Sequence, residues 1–158
     1  MEIPQLSKKE IDECLLRAED SGRRRYAKIL HKPGDELNRA FNFMLPDSYM
    51  RPHYHPSEEK IENIKIVDGK IAVVFFDDKG SVKETFILEL DGKMEIDVPA
   101  FVWHTYVILS DYAITYETMM GVYDPKTYKN FAEQWAPAEN TPESVRYLEL
   151  LKERTAAL

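Results

Sequence analysis

Residues 51–70 read RPHYHPSEEKIENIKIVDGK. His53 and His55 stand one residue apart, and carboxylates follow at Glu58, Glu59, Glu62 and Asp68. In an extended chain, residues i and i+2 project to the same face. The two imidazoles would then lie side by side. Pro52 favours this, because it biases Arg51 toward extended geometry. Two imidazoles on one face can bind a single ion, and a neighbouring strand must bring the next donor.

In KIENIKIV, alternation puts Glu62 on one face with Ile64 and Ile66. A carboxylate turned inward among isoleucines is costly without a partner, and a cation supplies one. Glu58 and Glu59 precede the alternation and read as solvated loop acids. The remaining donor is His104, in VPAFVWHTYVIL after the turn at Pro99. Alone, a histidine in such a strand is more often structural. With the others it completes a candidate ligand set of His53, His55, Glu62 and His104. Three imidazoles and a carboxylate suit one divalent metal ion, with zinc, iron, manganese and nickel all compatible. In an octahedral ion, four ligands leave positions for water or substrate.

Other side chains are candidates for substrate binding. Arg51 and Tyr49 share the parity of His53. Tyr106 shares that of His104, and Tyr116 reaches toward the pocket from the last long strand. An arginine fork suits an anionic group, although a surface ion pair serves Arg51 equally well, and tyrosines in sheets more often pack. No general base stands out, so the catalytic residues stay unassigned. His31, before Lys32-Pro33-Gly34, reads as a surface or supporting group.

The elements that must position these residues follow from the pattern. Residues 1–22 form an N-terminal helix, with capping-box spacing at Ser7 and Glu10 and an apolar stripe of Ile11, Leu15, Leu16 and Ala18. Gly22 is its expected stop. Residues 23–122 alternate short Val-, Ile-, Phe-, Tyr- and Thr-rich segments with turn signals, among them Asp68-Gly69 and Asp91-Gly92. Such punctuation predicts an antiparallel barrel or double-sheet sandwich. Residues 123–158 read as a helical tail. Thr141 and Pro142 open its clearest helix, and Val145, Leu148 and Leu151, with Tyr147, form the stripe. The Trp135-Ala-Pro segment is placed to cover one end of the barrel.

The whole chain of 158 residues reads as one domain. Its net charge of −7 argues against nucleic acid as a partner. No apolar run is long enough to span a membrane. The first twenty residues are charged throughout and do not resemble a signal peptide, which makes the cytoplasm the expected compartment. The single cysteine, Cys14, excludes an internal disulfide and reads as a packing residue. A homodimer is the expected assembly, since twofold symmetry is commonest.

The motifs carry a resemblance. His53, His55, Glu62 and Gly69, spaced His-x-His-x6-Glu-x6-Gly, resemble the first cupin motif with a longer loop between histidine and glutamate. Pro99 to His104 resembles the second, with Phe101 where that motif has glycine and Ile108 where it usually has asparagine. Segments from Arg23 to Glu139, including NRAFNFMLPDSYMRPHYH and GVYDPKTYKNFAEQWAPAE, resemble the WbuC-type cupin-fold metalloproteins. Asn63, beside Glu62, departs from the aromatic or apolar residues common there.

That resemblance implies a mainly β fold: a cupin-type double-stranded antiparallel β-barrel, or jelly roll, with an N-terminal helix and C-terminal helices. It implies one bound metal and a link to bacterial polysaccharide gene clusters. The expected function is a metal-binding protein. It would be a metal-dependent isomerase or epimerase on a sugar or sugar nucleotide, an iron-dependent dioxygenase, or a non-catalytic small-ligand or regulatory module with a structural metal.

Overall fold

Alternation in the sequence becomes alternation in burial. The structure, a computed structural model, describes residues 2–158. After α1 (Lys8–Asp20) come β1 (Arg25–Ile29), β2 (Leu37–Met44), β3 (His53–Tyr54), β4 (Glu62–Asp68) and β5 (Lys70–Phe76). They are followed by β6 (Val82–Glu89), β7 (Glu95–Val98), β8 (Trp103–Ile108), β9 (Ala113–Met120), β10 (Asn130–Phe131) and α2 (Pro142–Ala156). Strand β4 buries Glu62, Ile64 and Ile66 and leaves Asn63 and Lys65 partly exposed.

Two five-stranded antiparallel sheets result, in the orders β1-β2-β9-β4-β7 and β10-β3-β8-β5-β6. Their inner faces meet over a core that includes Met44, Ile64, Ile66, Ile71, Val73, Leu88, Val98 and Ile108. The outer face of the first sheet is covered by α1, whose Cys14 and Ala18 pack with Phe41, Phe43, Ile114 and Tyr116. Leu148 and Leu151 of α2 pack with Ala72, Val74, Phe76 and Val107 on the second sheet. Strand β5 is buried on both faces, which is why KIAVVFF is apolar almost without alternation. This is the jelly-roll architecture expected, with a helix laid against each sheet.

Local signals explain most boundaries. Ser7 and Glu10 close a capping box on α1, and Thr141 caps α2 with Pro142 in its first turn. The Asp68-Gly69 turn joins β4 to β5 with Gly69 at φ 83°. A Cβ there would fall 2.3 Å from the Tyr112 carbonyl oxygen, so both backbone angle and space require glycine.

Three expectations need correction. Helix α1 stops at Asp20 with Ser21 as its C-cap; the left-handed residue beyond it is Arg24, at φ 58°, not Gly22. Val145 is 61% exposed; the buried face of α2 is Ser144, Leu148, Leu151 and Thr155. Between β9 and α2 the chain is not helical but a strap of turns that contains β10. Pairing with β3 satisfies the strap's backbone at Asn130 and Phe131, where an isolated short helix would gain little.

Candidate metal centre

One end of the space between the sheets is polar. Strand β3 places His53 opposite His104 of β8, and His55 follows one residue beyond β3. One ring nitrogen from each histidine lies within 4.8 Å of the other two, and all three residues are buried. The His53 and His104 ring centroids are 4.5 Å apart, and His55 lies 5.3 and 5.4 Å from them.

The backbone fixes which nitrogen is free. His53 Nδ1 is 3.0 Å from the Arg51 carbonyl, His104 Nδ1 is 2.9 Å from that of Val102, and His55 Nδ1 is 2.8 Å from that of Tyr128. A carbonyl only accepts, so each Nδ1 carries the hydrogen, and in the neutral ring the Nε2 lone pair is left to coordinate. His104 Nε2 is buried with no hydrogen-bond partner. An orphaned buried acceptor beside two more imidazoles fits a metal ion.

Electrostatics agree. Burial pushes the His53 pKa well down, helped by the neighbouring His104, and burial also lowers that of His104. Both rings are therefore kept neutral, as metal ligation requires. His55 differs. Burial opposes its charge, but the hydrogen bond and negative charge of Glu62 outweigh this and raise its pKa.

Glu62 reaches the cluster from β4, with Oε2 2.9 Å from His55 Nε2. Its own burial would raise its pKa, yet His55, through hydrogen bond and charge, holds it well below the usual carboxylate range. For either atom of this pair to serve as a metal donor, the proton between them must leave. Glu58 is exposed, and Glu59 bonds only locally, to Ser57 at 2.5 Å.

Of the four substrate-binding candidates, the structure brings only Tyr106 to the centre. Its hydroxyl contacts Glu62 Oε1 and lies 2.7 Å from Glu117 Oε1. Tyr49 instead packs under α2, edge-on to Tyr147, and its hydroxyl donates to the Pro137 carbonyl at 2.8 Å. The Arg51 guanidinium donates to the Ala136 carbonyl at 2.9 and 3.2 Å and so clasps the strap. Tyr116 lies on the outer face of β9, against Phe41 beneath α1. Parity misled at Tyr49 and Arg51 because β3 is only two residues long, and alternation does not propagate through the irregular chain before it. His31 holds the backbone of Arg39, away from the site, as a supporting group.

Two site residues escaped the sequence. Glu117 opposes Ile64 across the β4–β9 ladder and so shares the inward face. Its place on that face follows from the β4–β9 register, in which Met119, two residues on, opposes Glu62. Burial and the charge of Glu62 raise its pKa to about 8. Lys129 comes from the strap; its ammonium lies over the Tyr128 and Phe131 rings, 4.9 and 5.3 Å from their centroids. Burial lowers its pKa to about 8 against the attraction of Glu62. No local pattern in YKNF marks it.

Fold and site together define a cupin-type jelly roll with three inward histidines positioned to hold a metal. The chain belongs to the family described as a domain of unknown function (DUF6016), whose model matches residues 6–88, just over half its length. No curated protein matches it.

Solved structures share the fold at low identity. CapF bound to the inhibitor 3-isopropenyl-tropolone is 20% identical, with a TM-score of 0.57 over 66% of this chain and 31% of that one. The capsular polysaccharide assembling protein CapF from Staphylococcus aureus is 17% identical, with a TM-score of 0.53 over 67% and 32%. An S161A mutant of Bacillus subtilis oxalate decarboxylase OxdC is 19% identical, with a TM-score of 0.50 over 64% and 25%. The matched region thus spans a third or less of each of these chains. No helix among the described residues is long and apolar enough to cross a membrane.

Proposed function

We propose that the protein is a metal-dependent enzyme acting on a small polar substrate, a sugar or sugar nucleotide, in surface polysaccharide metabolism. The observation that carries the metal is the buried, unpartnered Nε2 of His104 beside two imidazoles whose Nδ1 atoms are likewise anchored to carbonyls. His53, His55 and His104 would be its ligands, with Glu62 as the fourth. A bound divalent ion would supply a Lewis acid for a carbonyl or hydroxyl of the substrate. An acid–base task is supported by Glu62 and Glu117, whose environments push their pKa values in opposite directions. The sugar assignment is supported by the WbuC-type resemblance from Arg23 to Glu139 and by the description of the Staphylococcus aureus relative in fold. Metal identity is open between zinc, iron, manganese and nickel.

The second reading is a non-catalytic module with a structural metal. One observation favours it: His53, His55 and His104 are only 3%, 3% and 0% exposed, with the strap over them. A substrate would need the strap to open.

One experiment separates these outcomes. Protein loaded with each candidate metal is assayed by mass spectrometry for stoichiometry and by NMR for conversion of nucleoside diphosphate sugars. One ion per chain, lost in His104→Ala and His53→Ala, is the expected result. Unchanged stoichiometry in His104→Ala overturns the site. Tight metal binding with no conversion of any sugar nucleotide favours the structural module over the enzyme.

A further inference from the structure

Behind Glu62 the hydrogen bonds form a chain whose protons can be counted. Tyr106 Oη contacts Glu62 Oε1 on one side and lies 2.7 Å from Glu117 Oε1 on the other. A phenol has one hydrogen to donate, and an ionised carboxylate has none. If both carboxylates were ionised, one contact would set lone pair against lone pair in a buried site. One of the two must therefore carry a proton.

The surroundings choose between them. Glu62 Oε2 faces His55 Nε2 at 2.9 Å, beside the histidine cluster and within the field of Lys129. The charged partners nearest this chain of contacts are on the Glu62 side. The other oxygen of Glu117, Oε2, accepts from the Thr115 hydroxyl at 2.6 Å and from the Asn42 amide. Both of those donors are neutral, so Oε1 is the oxygen left to hold the hydrogen. The chain then runs in one direction: Glu117 donates to Tyr106, and Tyr106 donates to Glu62 Oε1.

We propose that Glu117 is held as a neutral carboxylic acid and acts as a positioning residue, orienting Glu62 through Tyr106 as a carboxylate donor toward the histidine cluster. The second half rests on the metal reading above. Outer groups that fix a ligand's orientation typically change metal affinity by about 10- to 100-fold when removed. The amide of a glutamine reproduces the proposed pattern, donating toward Tyr106 and accepting from Thr115 and Asn42. A charged Glu117 could not be replaced in this way.

The test joins zinc affinity, by competition with a chelating dye, to infrared spectroscopy at pH 7. Wild-type protein is expected to show a protonated-carboxyl band that Glu117→Gln lacks, while Glu117→Gln keeps zinc affinity. Tyr106→Phe and Glu117→Ala are each expected to weaken zinc binding by about 10- to 100-fold. Absence of the band overturns the neutral acid, and an affinity loss in Glu117→Gln equal to that in Glu117→Ala overturns it as well. Unchanged affinity in Tyr106→Phe overturns the orienting role. Glu117→Gln retains the volume and hydrogen bonds of the site, so the test stands even if Glu117→Ala fails to fold. A wild type that shows the band but takes up no zinc sinks the metal reading and the orienting role, and leaves the proton on Glu117 standing.

Discussion

At the scale of single residues, Phe101 shows how a motif's departure is absorbed. It occupies the position that is glycine in the resembling motif, and its φ is 64°, in the left-handed region. The backbone there takes the left-handed conformation that glycine adopts without steric cost. A side chain in that region costs roughly 1–2 kcal/mol. Two features offset it: the Phe101 amide donates to the His55 carbonyl at 3.1 Å, and its half-exposed ring lies 6.2 Å from that of Tyr54. Phe101→Gly is therefore expected to keep metal stoichiometry and to change stability by no more than about 1 kcal/mol, since strain relief is set against the added freedom of glycine when unfolded. Urea denaturation beside metal analysis measures both, and a large loss of either would show that the ring, not the backbone, matters.

At the scale of elements, the strap couples distant parts of the chain to the site. Its Tyr128 carbonyl fixes His55, its β10 extends the sheet at His53, and Lys129 lies over the Phe131 ring that packs against His53. What fastens it comes largely from residues expected to touch substrate. Arg51 binds the Ala136 carbonyl, Tyr49 binds that of Pro137, and Arg25 meets Glu139 at 2.5 Å. Arg51→Ala leaves the strap's backbone unfastened at Ala136. It is expected to speed hydrogen exchange from Tyr128 to Ala136 and to weaken metal binding by about 10-fold, through lost orientation of His55. Exchange that rises with no change in metal affinity would show that the strap covers the centre without ordering it.

At the scale of the whole molecule, the buried charges make stability depend on pH in opposed ways. His53 and His104 are lowered when folded, so the unfolded chain binds more protons as pH falls below about 6.5, and stability falls with it. Glu117 is raised to about 8, so its contribution is present at low pH and is lost as pH rises through 8. In metal-free protein these oppose one another below pH 6.5; above it Glu117 loses its contribution together with His55, whose raised pKa acts in the same direction. Melting of the chelated wild type is thus expected to decline between pH 6.5 and 8.5, with a flatter profile in Glu117→Gln. Parallel profiles for the two proteins would contradict the raised Glu117. With metal bound, acidification is expected to release the ion, because each imidazole must lose its metal to gain a proton.

The two-sheet architecture, the capped helices, the Asp68-Gly69 hairpin, the His53–His55 pair and Glu62 as an inward acid are legible in the chain alone. These depend on local signals: period-2 alternation, turn chemistry, capping residues and donors two positions apart on a strand. Packing across the sheets is what brings His104 opposite His53, sets Glu117 behind Tyr106, and turns Arg51 and Tyr49 to hold the strap. Each depends on which strand lies beside which and on where alternation breaks, as it does on either side of the two-residue β3. Cross-strand partners are far apart in the chain, as Ile64 and Glu117 are, and nothing local to either residue encodes their register.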